Sequence, residues 1–152
     1  MKPFSKRLNG FVNDWFDKNQ DKFTVYQESQ FTFGDAENTF KLFTKHYKDH
    51  STVPMWYDDN EDNIFADTRV NAKFRAWHDY NHVILGCDFS LEGEIKTYSH
   101  QQSSLPIDWD YERKLMYCEI VKQAEHYSSG GVIIENQREF TKSYLNKISD
   151  EE

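Results

Sequence analysis

Apolar residues recur every three or four positions along most of this chain, and that spacing constrains the fold more than any other feature. The first stripe follows Pro3, which suits the start of a helix. Its members are Phe4, Leu8, Phe11, Val12, Trp15 and Phe16. Residues spaced in this way share one face of an α-helix, which must pack on other apolar faces. The sequence therefore predicts an all-α bundle of about five to six helices.

Capping and helix-stopping residues set the predicted boundaries. Asp35 and Ser90 suit N-caps, and a third helix is expected to begin near Asp67, whereas Gly86 and the pair 130–131 suit helix ends. The predicted helices cover roughly residues 4–18, 36–48, 67–85, 91–103, 106–130 and 132–148. The segment 22–33 is rich in Phe, Thr, Val and Tyr, so a helix and a short β element both stay open there. Residues 50–66 are predicted to form a loop.

The length of 152 residues predicts a single helical domain over residues 1–152. A chain with 12 Phe, 9 Tyr and 4 Trp has enough ring surface to build a core, which excludes a disordered chain. Cys87 and Cys118 are too few for a disulfide framework, and no apolar stretch resembles a signal peptide or a transmembrane segment. A reducing, cytoplasmic location is therefore expected.

The net charge of −8 argues against direct binding to a nucleic-acid backbone. The densest acidic run, Asp58, Asp59, Glu61 and Asp62, lacks the ligand spacing of an EF-hand and is expected to be a solvated loop. These observations leave a small-molecule substrate or a protein as the expected partner.

One constellation carries chemistry: His78 and His82 lie four residues apart on a predicted helix. At about 100° per residue their directions differ by about 40°, so both imidazoles face one point. Asp79 lies at the edge of that fan, and a helical hairpin could bring Glu94 back over the two histidines. Two imidazoles and two carboxylates suit Zn²⁺, or Fe²⁺ or Mn²⁺ with water in open positions. If all four groups bind and exclude water, the ion is instead structural.

A second pair with the same spacing, His46 and His50, provides an internal comparison. Asp49 lies between the two histidines, but the pair ends a helix beside a loop with Pro54, and no partner carboxylate follows on another element. The spacing alone therefore does not predict a metal site.

The string from His78 to Glu94, HDYNHVILGCDFSLEGE, resembles the HDxxHx11E metal motif of a coenzyme Q (ubiquinone) biosynthesis protein family. The resemblance is confined to about residues 67–103. It implies an all-α fold with His78, Asp79, His82 and Glu94 as ligands, usually of zinc. It also implies a polyprenylated ring precursor of ubiquinone as substrate, with removal of the ring carboxyl group coupled to hydroxylation.

Other residues have two interpretations each. Glu119, Glu125 or His126 could support the site from the fifth helix, or make surface and interhelix polar contacts. Trp77 and Tyr80 are expected to pack in the core rather than to stack on a substrate. Cys87 is expected to be a buried free thiol, with a zinc-thiolate role as the alternative.

Two functions follow from these patterns. The first is a small metal-binding protein that carries out metal-dependent decarboxylation and hydroxylation, or hydrolysis, of a small or ring substrate. The alternative is a non-catalytic, acidic interaction protein, for example a viral one, in which the metal is structural. The abundance of Phe, Tyr, Asn, Lys and Ile is typical of AT-rich bacterial, phage or other viral genomes.

Overall fold

Helices dominate the computed structural model, which describes residues 1–27, 36–130 and 134–151. The elements in chain order are α1 (Lys6–Asn19), a 3-10 turn (Gln20–Lys22), β1 (Phe23–Tyr26), α2 (Ala36–His50), β2 (Val53–Trp56), α3 (Thr68–Leu85), α4 (Leu91–Gln102), α5 (Asp110–Tyr117), a π-helical turn (Cys118–Lys122), α6 (Gln123–Gly130) and α7 (Gln137–Glu151). Because α5, the π turn and α6 are continuous, the described residues form six helical units. The prediction of an all-α fold with a short β element is confirmed.

Strands β1 and β2 pair in parallel, with Phe23 opposite Val53. Strand β1 lies inside the segment for which helix and strand were both open, and residues 28–33 of that segment are outside the described residues. The prediction of a loop over residues 50–66 is wrong at Val53–Trp56, which form β2. Pro54 argues against a strand in local sequence, but among the described residues β2 pairs only with β1, and a proline is tolerated in an edge strand.

The helix boundaries around α3 and α4 follow the capping signals. Asp67 Oδ1 accepts hydrogen bonds from two backbone N–H groups at the start of α3, and Ser90 Oγ accepts one at the start of α4. Gly86 ends α3 in the left-handed conformation with φ 68°. The fifth helix begins at Asp110 and the last at Gln137, later than predicted, while Asp35 and residues 131–133 lie outside the described part.

Helix α3 lies at the centre of the fold because its side chains enter both buried apolar clusters. The first cluster comprises Leu8, Val12, Ile64, Phe65, Val70, Phe74, Trp77, Leu105, Leu115, Met116, Ile120 and Val121. The second comprises Phe16, Phe23, Phe43, Val53, Met55 and Ala76. Helix α3 is thus held on two sides, and its remaining stripe presents polar side chains toward α4.

Arg138 of α7 ties the last helix to the beginning of the chain. Its backbone N–H donates to the Asp62 carbonyl oxygen, and its guanidinium donates to the carbonyl oxygens of Asn63 and Lys2. The same guanidinium lies 4.5 Å from the centroid of the Phe4 ring.

The expectation of a single domain over residues 1–152 stays a prediction. No helix in the described ranges combines the length and apolarity that crossing a membrane requires.

Candidate metal centre

The loop between α3 and α4 brings the two helices together at close range. The backbone N–H of Cys87 donates to the His82 carbonyl oxygen, which turns the chain immediately after Gly86. On α4, Gly93 is buried, and a Cβ atom there would collide with the backbone carbonyl oxygen of Asp88. Only glycine permits this approach without a shift of the loop. Because Gly93 has no side chain, α4 can approach the loop closely enough to place Glu94 over α3.

Three of the four predicted ligands converge on one point. His78 Nε2 and His82 Nε2 lie 2.8 Å and 2.9 Å from Glu94 Oε2, and the two nitrogens are 3.0 Å apart. The His82 side chain is fully buried, and those of His78 and Glu94 are 14% and 13% exposed. Within the described ranges this triad of His78, His82 and Glu94 is the group of potential ligands that could hold a metal ion.

The dimensions of the triad match a divalent ion. Metal–nitrogen and metal–oxygen bonds of about 2.1 Å separate neighbouring ligand atoms by about 3.0 Å at right angles, and by about 3.4 Å at the tetrahedral angle. The three edges of 2.8, 2.9 and 3.0 Å agree better with right angles. The three donor atoms are therefore close enough to contact one divalent ion, and their types match those of two-histidine, one-carboxylate sites.

The partners of the Nδ1 atoms fix the direction of both imidazole lone pairs. His82 Nδ1 lies 2.8 Å from the Cys87 carbonyl oxygen, which can only accept, and His78 Nδ1 lies 2.8 Å from Gln101 Oε1. Each neutral ring therefore carries its proton on Nδ1 and turns the Nε2 lone pair inward. Two lone pairs and a carboxylate oxygen this close repel one another unless a cation or a proton lies between them. The donor set thus fits a bound metal ion.

The electrostatics of the triad favour an ionised Glu94. Burial alone would raise the pKa of Glu94, but the neighbouring His78 and His82 outweigh it and lower that pKa to about 2. Burial alone would lower the pKa of His78, whereas the charge of Glu94 and its hydrogen bond outweigh burial, so that this pKa is raised. The carboxylate and the histidines stabilise one another, and at neutral pH Glu94 is available as an anionic ligand.

Asp79, the fourth predicted ligand, is not part of this group. Its carboxylate lies outside the set of atoms that are within 4.8 Å of one another. Burial raises the pKa of Asp79 to about 6, against the charges of His78, His82 and Arg75. The Asp79 carboxylate thus interacts by charge with the two histidines but is not one of the three groups that converge.

An open cavity of about 470 Å³ reaches the triad through His78 and Asp79. Most of its wall is apolar and aromatic. The lining residues are Thr39, Phe43, Met55, Trp56, Asp58, Ala72, Arg75, Ala76, His78, Asp79, Phe89, Tyr127 and Gln137. A cavity of this size and character suits a small, largely apolar ligand. One residue of the triad, His78, therefore borders the cavity.

The comparison pair, His46 and His50, is engaged differently. The two nitrogens of His46 lie 2.8 Å from the Tyr26 hydroxyl and 2.8 Å from the Thr52 carbonyl oxygen. Both ring nitrogens of His46 therefore already have hydrogen-bond partners. The same i, i+4 spacing thus gives a metal-binding geometry in α3 and a polar anchor for β1 and β2 in α2.

The residues considered for a supporting role make contacts away from the triad. Glu119 accepts a hydrogen bond from Thr141, Glu125 pairs with Lys122, and the ring of His126 packs on Phe140. These are the interhelix and surface contacts of the alternative interpretation.

Sequence reasoning missed the residues that orient the triad. Gln101 and Thr97 lie seven and three residues after Glu94 on the same face of α4, and both are fully buried. Thr97 Oγ1 donates to the Gly93 carbonyl oxygen and lies 3.3 Å from His82 Nδ1. The spacing of 94, 97 and 101 is the signal that could have found them.

The flanking residues have structural roles. Trp77 is 2% exposed in the first cluster, and Tyr80 packs against the second, which agrees with the expected core packing. Cys87 is a free, partly buried cysteine, and its carbonyl oxygen rather than its sulfur serves the site by accepting from His82.

Neither a family model nor a curated protein nor a solved structure matches this chain. The resemblance to the coenzyme Q biosynthesis family therefore rests on the motif alone and stays a prediction.

Proposed function

We propose that this chain is a divalent-metal-dependent enzyme that acts on a small ring substrate bound beside the triad, with chemistry of the kind associated with the coenzyme Q biosynthesis family. The observation that carries the proposal is that His78 belongs both to the triad and to the wall of the 470 Å³ cavity. A structural metal site is normally closed by four protein ligands. Here three groups converge, and one of them, His78, borders the cavity.

Each residue has a task in this proposal. His78, His82 and Glu94 hold the ion, and Gln101 keeps His78 in the required tautomer. Phe43 and other apolar side chains of the wall exclude water from the substrate ring. Asp79 offers a carboxyl group at the edge of the same cavity, where it can hold a proton next to the ligand.

The identity of the ion is part of the proposal. Zn²⁺ is the expected cofactor from the motif, and the near-right-angle dimensions of the triad support Fe²⁺ or Mn²⁺ as alternatives. A bound divalent ion polarises a carbonyl or carboxylate oxygen and lowers the pKa of a bound water toward about 7, which serves decarboxylation as well as hydrolysis.

Elemental analysis of protein purified without added metal tests the site. The wild type should carry about one equivalent of Zn, Fe or Mn, and a His78→Ala, His82→Ala double variant should carry almost none. The matched control is His46→Ala, His50→Ala, which removes a pair with the same spacing and should retain the metal. A wild type that folds, contains no metal and takes up none would refute the proposal.

A second measurement separates the enzyme from the alternative, an acidic interaction protein with a structural metal. Titration of the metal-loaded wild type with small aromatic carboxylates should change its tryptophan fluorescence, because Trp56 lines the cavity, and a Trp56→Phe variant should lose that change. Metal at full occupancy without any ligand uptake would instead support the structural role.

A further inference from the structure

The side chains that helix α7 buries are polar. They are those of Gln137 and Thr141, whereas every buried apolar side chain in the described ranges belongs to another element. Leu145, which packs against the first cluster, is only partly buried. Regions with few buried apolar contacts open at a lower free energy than the core does. We therefore expect α7 to separate from the fold before the core helices unfold.

Arg138 ties the first turn of α7 to the segment before α3. Its backbone N–H donates to the Asp62 carbonyl oxygen at 3.0 Å, and its guanidinium donates to the carbonyl oxygens of Asn63 and Lys2. These contacts involve neither the middle nor the end of the helix. The rest of α7 can therefore move away while its first turn stays in place.

Glu119 lies beneath the middle of α7, in the π-helical turn Cys118–Lys122. Thr141 Oγ1 donates to Glu119 Oε1 at 3.2 Å, and Thr141 is 0% and Glu119 8% exposed. Gln123 lies close to the same carboxyl group, but its Nε2 atom has no partner with hydrogen-bond geometry among the described residues. A buried carboxylate with one hydroxyl donor loses more hydration than it regains. The docked helix therefore favours the protonated, uncharged form of Glu119.

The charges nearest to Glu119 do not offset its burial. Burial raises the pKa of Glu119 to about 7, against the opposing charge of Arg75 on α3. Arg75 is exposed, so water and salt screen its charge. Burial also raises the pKa of the neighbouring Cys118 thiol to about 12, so this group is uncharged at neutral pH.

The other elements packed on the π turn are α4, α5, α6 and α7. The fully buried side chains of α4, Thr97 and Gln101, are neutral, and Lys142 of α7 is exposed. Ionisable side chains of the adjoining helices have partners of their own: Glu112 with Arg7, Glu125 with Lys122 and His126 with Phe140. In the part of the chain that the structure describes, the charge of an ionised Glu119 is thus opposed chiefly by Arg75.

The direction of the pH effect follows from the two states of Glu119. While α7 is docked, the pKa of the carboxyl group is about 7, and once α7 is released and water reaches the group, it returns to the ordinary 4.5. A pKa raised in the docked state stabilises docking fully below about 4.5, and this contribution is lost as the pH rises to about 7. Docking is therefore strongest in acid solution and weakest above neutral pH.

We propose that helix α7 is a pH-dependent strap. It closes on the π turn while Glu119 is protonated, and it is released, still tethered through Arg138, when Glu119 ionises. The inference goes beyond the proposed function and does not depend on it, because it involves none of the triad residues. A helix of 15 residues is marginal in water on its own, so the released strap loses its helical hydrogen bonds.

Hydrogen exchange, followed residue by residue by NMR on chelator-treated wild type, tests the proposal. Each exchange rate is divided by that of an unstructured chain at the same pH, which gives a protection factor. Between pH 6 and pH 8 the protection factors of residues 141–147 should fall about tenfold, because the docked and released states titrate at about 7 and 4.5. The Arg138 N–H should keep its protection, and amides in the middle of α3 should stay far better protected than those of α7.

Glu119→Gln should remove the pH dependence and keep α7 protected at pH 8. The matched control is Glu125→Gln, at an acidic residue of α6 that pairs with Lys122 and should keep the tenfold change. The double variant His78→Ala, His82→Ala should also keep it, which separates this inference from the proposed metal site.

Three results would overturn the proposal. The first is equal protection of α7 and α3 in the wild type, because α7 would then be released only by global unfolding. The second is unchanged protection of α7 in the wild type between pH 6 and pH 8. The third is a tenfold change that survives in Glu119→Gln. The first two are measured on the wild type and decide the question even if the variant does not fold.

Discussion

Gln101 should control metal affinity without controlling the stability of the metal-free fold. Its Oε1 accepts from His78 Nδ1 at 2.8 Å, while its Nε2 atom is buried and has no hydrogen-bond partner among the described residues. Gln101→Met removes the acceptor and leaves a side chain of similar length. Outer partners of this kind are worth about 10–100-fold in metal affinity, or about 1.4–2.7 kcal/mol.

The free energy of unfolding should change little, because the substitution replaces one unpaired buried donor with another. The wild type buries an unpaired amide N–H group, and the variant buries an unpaired Nδ1–H group of His78. Each costs about 1–3 kcal/mol, so the free energy of unfolding of metal-free protein should change by less than about 1 kcal/mol.

Competition with a chromophoric chelator measures the metal dissociation constant, and urea unfolding of chelator-treated protein measures stability. The control is Gln123→Met, at a glutamine that hydrogen-bonds none of the three ligands and should leave the dissociation constant unchanged. An unaltered dissociation constant in Gln101→Met would refute the reasoning. So would a loss of several kcal/mol in the metal-free protein, which would make Gln101 a structural residue.

Three further changes test the surroundings of the site. Gly93→Ala forces the Asp88 carbonyl away and should lower stability by about 1–3 kcal/mol and weaken metal binding. Gly10→Ala is the control, because a Cβ there meets nothing within 4 Å, and it should stabilise α1 by about 1 kcal/mol. Urea unfolding measures the stability of each variant, and chelator competition measures its metal affinity. Asp67→Ala removes the N-cap of α3 and should cost about 0.5–2 kcal/mol in thermal unfolding. Burial raises the pKa of Glu119 from 4.5 to about 7, so the folded state holds a proton that the unfolded state releases, and stability falls as pH rises from about 4.5 to about 7. Glu119→Gln should therefore gain up to about 3 kcal/mol over the wild type at pH 8 and almost nothing at pH 4, and a pH-independent difference would contradict this.

The parts of the fold that depend on neighbouring residues follow from the sequence. Asp67 and Gly86 bound α3 because capping involves backbone groups within one turn, and the i, i+4 geometry of His78 and His82 is a property of the helix itself. Glu94 was predictable because only a short loop separates it from α3.

Features that depend on distant partners could not be predicted in the same way. Strand β2 exists because it pairs with β1, which lies about 30 residues earlier in the chain. Pro54 argues against a strand when only the neighbouring residues are considered. Asp79 belongs to the motif but is not one of the three groups that converge, which spacing alone left open. Nothing in the local pattern indicates the π-helical turn at residues 118–122, where Glu119 is buried against α7.

The three residues of the triad lie within 17 positions of the sequence, from His78 to Glu94. Closing so short a loop costs little chain entropy, so the unfolded chain can also chelate an ion with its two histidines. An ion that binds the unfolded state raises the melting temperature less than its affinity for the folded state implies. The thermal shift produced by a metal ion at the triad should therefore be smaller than its affinity for the folded state implies. The same locality allows the centre to assemble early in folding, before the non-local pairing of β1 with β2.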